Sequence, residues 1–373
     1  MWFAISLLAC HSAVVDEPSH DLTVTGGFGG GSFPQGTEVH VWAGVDPQLE
    51  LADWSGTMLP DPLEWNSTLE MPDTDVSLTV LASPVAAPLN ARTYPTAAGD
   101  RNVLVSSVNQ PVGVVLFFHG ASYSIDQLRS NAGRTLTMTL VRAGYTVVAL
   151  PSEAEVAAGK GGWNADLAET NPDLVTTRAL VAALQADGTI PGETPIYAMG
   201  MSSGGMYAHT VGAVLPTAGV VAYCAPGSPA ALDATSAPTG WFLAANDQTF
   251  PTAVSDANGF SAGLSARGIT NQIYVHPTTP LYDARFTRIT GVDLTRSKRL
   301  SAALRAAGAV DENDEWVVTG SSVTAGLDLD GLDGLDALQL EAVVGEIEIM
   351  AADHELYDDA ANRMVTFLDS MRN

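Results

Sequence analysis

The sequence predicts a mixed α/β chain: a mostly parallel sheet covered on both faces by helices, preceded by a small all-β module. Three observations carry this. From about residue 92 onward, short continuous apolar runs such as Val114-Val-Leu-Phe-Phe118 and Ile196-Tyr-Ala-Met199 alternate with amphipathic stretches of helical length. Strands that are apolar on both sides belong in a sheet buried on both faces, and the intervening helices supply the crossovers that parallel pairing needs. Residues 21–82 instead alternate with period 2 through β-branched and aromatic residues, broken by turn signals. A chain of 373 residues has room for two domains and one large core.

Residues 1–9 are apolar and stop at Cys10, before the polar pair His11-Ser12. A run this short cannot span a bilayer, which takes about 20 residues of helix, but it suits a short signal segment. Leu7-Leu8-Ala9-Cys10 resembles the bacterial lipobox, in which a small residue precedes a cysteine that is lipidated. The resemblance implies lipidation at Cys10 and export, with the protein anchored in the cell envelope or secreted. The other reading is an apolar N-terminus of a chain that is not exported. Residues 11–20 complete a signal and linker segment, 1–20.

Within 21–82, strands are expected near 22–25, 38–42 and 76–80. The glycines from Gly26 to Gly36 hold no Gly-x-Gly-x-x-Gly frame and no helical pattern follows them, so this is a loop and not a phosphate cradle. Leu22-Thr-Val-Thr-Gly26, Gly36-Thr37, Trp54-Ser-Gly56 and Met71-Pro72 with Asp75-Val-Ser-Leu-Thr79 are similar to the divergent internalin-B-type bacterial repeat. That resemblance implies a surface-exposed spacer, or a module that contacts cell-surface material. Residues 83–91, with Pro84 and Pro88, read as the linker to a second domain over 92–373.

In that second domain the pattern predicts strands at 103–108 and 112–118, a helix at 126–143, a strand at 145–150 and a helix at 172–186. Then come a strand at 195–199, a helix at 204–215, and strands at 219–225 and 241–245. A helix at 253–267, a strand at 272–275 and a final amphipathic helix at 358–371 complete it. Cys224 reads as a buried strand thiol.

The sharpest chemical signal is Gly200-Met201-Ser202-Ser203-Gly204, directly after one apolar strand and directly before a helix. A serine on a tight strand-to-helix turn is held exposed in strained geometry, and small residues two before and two after let the neighbouring chain pass close. Ser203 has Met201 two residues before it, so Ser202 is the candidate nucleophile. The acid belongs at the end of a later strand, where Trp241-Phe-Leu-Ala-Ala-Asn-Asp247 delivers Asp247; Asp233 and Asp256 are weaker candidates. For the base, His276 and His354 lie downstream of Asp247. His354, between the last strand and the last helix, fits better than His276, which ends a strand. It would take the proton of Ser202 while Asp247 fixes its tautomer.

Over 92–373 the Ser, Asp, His order and its strand contexts resemble the α/β-hydrolase family, and more loosely its secreted esterase and polyester-depolymerase-like branches. His119-Gly120, at the end of a strand, resembles the His-Gly that opens the oxyanion loop of that family. The resemblance implies that the backbone N–H groups of Ala121 and Ser203 face the developing negative charge, with His119 shaping the loop and transferring no proton. The chain departs from the plain fold in an insertion at about 280–345. It contains Arg285-Phe286, a helical stretch at 293–307 and the acidic run Asp328-Leu-Asp-Gly-Leu-Asp-Gly-Leu-Asp336. The insertion reads as a lid, as one wall of the pocket, or as a packed helical decoration. Tyr123, Trp163 and Phe286 are loop aromatics able to line a pocket.

The acidic run does not fit a calcium loop, because Leu332 falls at the fifth position and Asp333 where glycine should be. With only two cysteines, Cys10 and Cys224, there is no disulfide framework, and their separation gives no zinc spacing, so no metal and no cofactor is implied. The chain carries 16 Lys+Arg against 42 Asp+Glu, a formal charge of −26, which excludes nucleic acid as a partner. Membrane contact is implied only through a lipid on Cys10. Residues 1–91 hold twelve acids and no Lys or Arg; six of the sixteen basic residues fall between 285 and 305, followed by eleven acids between 311 and 348. The function expected is an exported serine hydrolase acting on a small or polymeric carboxylic ester through an acyl-enzyme on Ser202. A serine peptidase or amidase of the same fold, or a non-catalytic surface-binding protein, are the alternatives.

Overall fold

The computed structural model describes residues 18–44, 49–56, 59, 66–84, 89–317 and 334–372. The lipobox-like segment with Cys10 lies outside the described residues, as do 328–333 of the acidic run and Pro88 of the expected linker. Two units are distinguished, one drawn from Met1–Gly44 with Leu51–Leu81 and one that includes Ala82–Asn373.

The first unit is all β. Its strands are β1 (Ser19–Thr25), β2 (Gly27–Phe28), β3 (Gly31–Pro34), β4 (Glu38–Ala43), β5 (Leu49–Ser55), β6 (Asn66–Glu70) and β7 (Val76–Pro84). They form a four-stranded sheet in the order β3-β1-β7-β5 and a three-stranded sheet in the order β2-β4-β6. In β4 the alternation puts Val39, Val41 and Ala43 inside, where Leu22, Trp54, Leu69 and Leu78 are also buried.

The second unit opens with a hairpin, β8 (Asn90–Thr96) and β9 (Gly99–Ser106), so the stretch read as a linker over 83–91 ends inside a strand. The strands β10 (Gly113–Phe118), β11 (Tyr145–Leu150), β12 (Ile196–Met201), β13 (Gly219–Tyr223), β14 (Thr239–Ala244) and β15 (Asn271–His276) complete an eight-stranded sheet. Its order is β15-β14-β13-β12-β10-β11-β9-β8, with β10 to β15 parallel and the two outer strands of the hairpin antiparallel.

The helices are α1 (Asn131–Arg142), α2 (Glu153–Ala158), α3 (Pro172–Ala186), α4 (Ser203–Val214), α5 (Pro229–Ala234), α6 (Ala253–Ala266), α7 (Leu294–Ala306), α8 (Ala337–Met350) and α9 (Ala361–Asp369). Alternate residues of β10 split between two cores. Val115 and Phe117 pack with Leu136 and Leu140 of α1 and Met364, Phe367 and Leu368 of α9. Val114, Leu116 and Phe118 pack with Leu174, Leu180 and Leu184 of α3 and Tyr207, Ala208 and Val211 of α4. The sheet is therefore covered on both faces, as its continuous apolar strands require.

The helix expected at 126–143 is broken. A 3₁₀ turn, Ile125–Arg129, precedes Ser130, whose extended backbone and side chain cap α1 by accepting from Gly133 N. A serine that satisfies an orphan amide starts a new helix in preference to continuing the old turn.

Much of the insertion is packed structure. A 3₁₀ turn, Arg285–Arg288, buries two guanidinium groups: Arg285 pairs with Glu346 at 2.6 Å and Asp359 at 3.0 Å, and Arg288 with Glu346 at 3.2 Å and with Asp358. Burial opposes the charge of Arg285, yet Asp359 and Glu346 raise its affinity for the proton well above the ordinary value. Arg305 of α7 binds Asp283 and Asp314, so basic residues of the insertion fold back onto acids. Asp336, the last residue of the acidic run, caps α8 by accepting from Gln339 N while the Gln339 side chain accepts from Asp336 N.

His209 of α4 is fully buried, its ring 5.8 Å from that of Trp241, and among the described residues neither ring nitrogen has a hydrogen-bond partner. Burial pushes its pKa down to about 3. A depressed histidine favours folding above its unfolded value of roughly 6.5, and that contribution is lost as pH falls towards the folded value. His209→Leu is expected to match or exceed the wild-type melting temperature at pH 7, with the advantage widening at pH 5. Thermal unfolding at both values checks it; a variant less stable at both would overturn the account.

Candidate active site

The turn that carries Ser202 is built by close approach. A Cβ on Gly200 would lie 2.2 Å from Gly204 O, and one on Gly204 would lie 2.0 Å from Phe118 O. Only glycine fits at either position. Ser202 itself takes φ 55° and ψ −120°, its N–H donating to Tyr223 O at 2.9 Å, and α4 begins at the next residue.

Ser202, His354 and Asp247 are brought together. The Ser202 hydroxyl donates to His354 Nε2 at 2.8 Å, and His354 Nδ1 donates to Asp247 Oδ2 at 2.8 Å. Asp247 follows β14 and is fixed by a second bond, accepting from Phe250 N through Oδ1 at 2.7 Å. The carboxylate is almost wholly buried, whereas the His354 side chain keeps 15% of its exposure. A buried carboxylate sets the tautomer and the imidazole presents its other nitrogen to the hydroxyl, an arrangement that can move a proton from serine to histidine.

The other candidates lie elsewhere. Asp233 and Asp256 are exposed on α5 and α6, and Asp256 accepts from Thr252. His276 is buried, stacked on Tyr357 at 4.4 Å, and donates from Nε2 to Ile349 O.

His119, also fully buried, places Nδ1 2.9 Å from Gly120 O and Nε2 2.8 Å from Glu155 Oε2. Glu155 also accepts from Ile125 N, so one carboxylate of α2 holds both ends of the 119–125 loop. Gly120 N donates to Gln127 Oε1. A Cβ on Gly162 would lie 2.8 Å from Ser203 Oγ and 3.4 Å from Ala121 Cβ, so the loop and the start of α4 converge there. Among the described residues nothing accepts from the amides of Ala121 or Ser203.

Of the aromatics, Trp163 is a packing residue: it stacks on Tyr207 at 4.6 Å, donates from Nε1 to His119 O, and its amide donates to Ser203 Oγ. Phe286 is wholly buried and lines no opening. Tyr123 donates to Glu355 Oε2 at 2.6 Å. Glu348 stands nearby, where burial, with Glu355 and Asp353 adding repulsion, pushes its pKa up to about 7.

Cys224, at φ 46°, donates its thiol to Glu355 O at 3.3 Å. With Asp247 and His354 it forms a group whose ligating atoms lie within 4.8 Å of one another. The imidazole and carboxylate of that group are already engaged with each other, and burial raises the thiol pKa, opposing the thiolate that a metal needs. Glu155, Glu355 and the pairing of Arg285 with Arg288 escaped the sequence reading, which named Arg285 only as part of the insertion; the one local signal was the position of Glu355 beside His354.

Six parallel strands, an antiparallel hairpin at one edge and a serine on the turn between β12 and α4 make this an α/β-hydrolase fold. No family model and no curated protein matches the chain. Solved structures do. One is a dienelactone hydrolase from Anabaena variabilis, at 18% identity over 58% of this chain and 95% of that one, with a TM-score of 0.38. A thermostable esterase matches at 14% identity over 69% and 91%, TM-score 0.41. An acylaminoacyl peptidase from Pyrococcus horikoshii matches at 11% identity over 67% and 49%, TM-score 0.39.

Proposed function

We propose that the chain is a serine hydrolase that cleaves carboxylic esters through an acyl-enzyme on Ser202. The observation that carries this is the continuous hydrogen-bonded series Ser202, His354, Asp247, with 2.8 Å at each link and the imidazole partly exposed.

Ser202 Oγ attacks the ester carbonyl carbon as its proton passes to His354 Nε2. The amides of Ala121 and Ser203 donate to the oxyanion, each such donor being worth about 10²–10³ in rate. The tetrahedral intermediate collapses, the carbon–oxygen bond to the alcohol breaks, and His354 returns the proton to the departing oxygen. Water then repeats the sequence on the acyl-enzyme, releasing the acid and restoring Ser202. Asp247 accepts from His354 Nδ1 throughout and stabilises the imidazolium formed in each half.

Export belongs to the same reading. It is supported by the short apolar run ending at Leu7-Leu8-Ala9-Cys10, and a lipid on Cys10 would tether the enzyme while its substrate is a small or polymeric ester. Among the described residues no helix is long and apolar enough to cross a membrane.

A fluorophosphonate probe tests the chemistry, because only an activated serine reacts. The expected result is a single adduct on the peptide containing Ser202, together with turnover of nitrophenyl esters that exceeds turnover of the matching anilides. Faster anilide cleavage would redirect the reading to an amidase. A chain that is neither labelled nor active on any ester would be a binding protein.

A further inference from the structure

Two residues outside the catalytic series join the segments that carry it. Tyr123 lies in the loop that begins His119-Gly120-Ala121, its N–H donating to Gly120 O, and a Cβ on Gly120 would meet the Tyr123 ring at 3.1 Å and Ser202 Cβ at 3.7 Å. Its hydroxyl reaches across 232 residues to Glu355, the residue after His354. Glu355 is fixed at three further points: Oε1 accepts from Leu356 N at 2.7 Å, its carbonyl accepts from the Cys224 thiol, and its N–H donates to Asp353 O at 2.9 Å.

We propose that Tyr123 and Glu355 are a positioning pair for the reaction proposed above, holding the oxyanion loop in register with the histidine loop and keeping a second carboxylate beside His354. The inference rests on that reading of Ser202.

The groups that bear on the Glu355 carboxylate are Tyr123, His354 and Glu341, and Glu348 is close enough to feel its charge; among the described residues no Lys or Arg is paired with it. The Tyr123 hydroxyl is thus the side-chain donor that anchors it. Burial raises the Glu355 pKa, and the bonds from Tyr123 and Leu356 N, with His354, oppose that rise; in its ionised form the anchored carboxylate favours the imidazolium that forms on His354, in addition to the support from Asp247. A slip of about 1 Å between donor loop and base would cost up to roughly a hundredfold in rate.

Steady-state kinetics of Tyr123→Phe, Glu355→Gln, Glu355→Leu and one double variant, beside fluorophosphonate labelling of the wild type, test the pair. Tyr123→Phe is expected to lower kcat about tenfold with KM within about twofold of wild type. Glu355→Gln keeps an oxygen that accepts from Tyr123, so kcat should stay within about threefold, while the acid limb of kcat/KM moves to lower pH because a neighbouring negative charge is gone. Because Glu355→Gln alone costs little, coupling is read from Tyr123→Phe combined with the bond-breaking Glu355→Leu, in which the losses should not add. Should Tyr123→Phe fail to fold, Glu355→Leu breaks the same bond from the other side. Unchanged kcat in the bond-breaking variant, additive losses, or an unmoved acid limb in Glu355→Gln would overturn the pair while labelled wild type leaves the hydrolase reading standing. Unlabelled, inactive wild type would remove both.

Discussion

Ser202→Ala is expected to lower kcat on a nitrophenyl ester by about 10⁴–10⁶ and to leave a folded protein, since in the proposed mechanism the hydroxyl is the attacking group and among the described residues its side chain bonds to His354 alone. The variant separates two roles that serine combines at this turn. Its backbone, at φ 55° and ψ −120°, lies where an L side chain is strained, at a cost of roughly 1–3 kcal/mol. Ser202→Gly removes the hydroxyl and the strain together. It should be as inactive as Ser202→Ala and more stable than it by about 1 kcal/mol in denaturant unfolding, after allowance for the entropy of glycine in the unfolded chain. Retained turnover in Ser202→Ala would remove Ser202 from the mechanism. Equal stability of the two variants would show that the turn carries no side-chain strain.

The largest stability effect is expected at the buried arginine pair. Arg288→Met should cost roughly 3–5 kcal/mol, because it leaves Asp358 and Glu346 buried with one guanidinium where there were two. The pH dependence identifies the cause. Burial disfavours the Asp359 carboxylate, but Arg285, His276 and Arg288 hold its pKa below the ordinary carboxylate value. A carboxylate depressed in the folded state stabilises above its unfolded pKa of about 4, and that stabilisation disappears as pH falls through the folded value. In Arg288→Met the orphaned carboxyls can instead take up protons, so the penalty should shrink between about pH 7 and pH 4. Unfolding of wild type and variant across that range checks it. A loss under about 1 kcal/mol at neutral pH, or one independent of pH, would show that the network contributes packing and little electrostatics.

The parts of the fold legible in the sequence were those whose physics is local. β11 and α3 occur at the residues expected, 145–150 and 172–186, because an apolar run bounded by turns and a proline at the first helical position define both ends without help from elsewhere. The turn that carries Ser202 was legible in part for the same reason: Gly200 is required by Gly204 O inside the turn, whereas Gly204 is required by Phe118 O of the neighbouring strand β10 and was found by its spacing alone. α8 was not. It buries Val343, Glu346, Ile347, Ile349 and Met350, so a charged residue stands on its inward face and blurs the apolar period. Glu346 is inside because Arg285 and Arg288, 61 and 58 residues earlier, meet it there, and no window on the sequence spans that distance. Tyr123 and Glu355 are the same case at greater range. Their residue types alone do not distinguish them from any loop tyrosine and any surface glutamate. Whether the insertion was lid or decoration turned on this too: two arginines counted in the sequence only as part of its basic stretch are core residues holding its first turn to α8 and to the residues just beyond His354.

The position of α9 in the core has a consequence for how the chain is made. Met364, Phe367 and Leu368 pack on Val115 and Phe117 of β10, and Tyr145 donates to Asp369, so the part of that face not covered by α1 stays open until α9 has been made. The histidine loop directly precedes that helix. A nascent chain held at any earlier point exposes an unsealed parallel sheet, the kind of surface on which folding intermediates aggregate. Completing that face and bringing His354 to Ser202 depend on one stretch of chain, 354–369, so a chain that lacks it has neither that packing nor the hydrogen-bonded series.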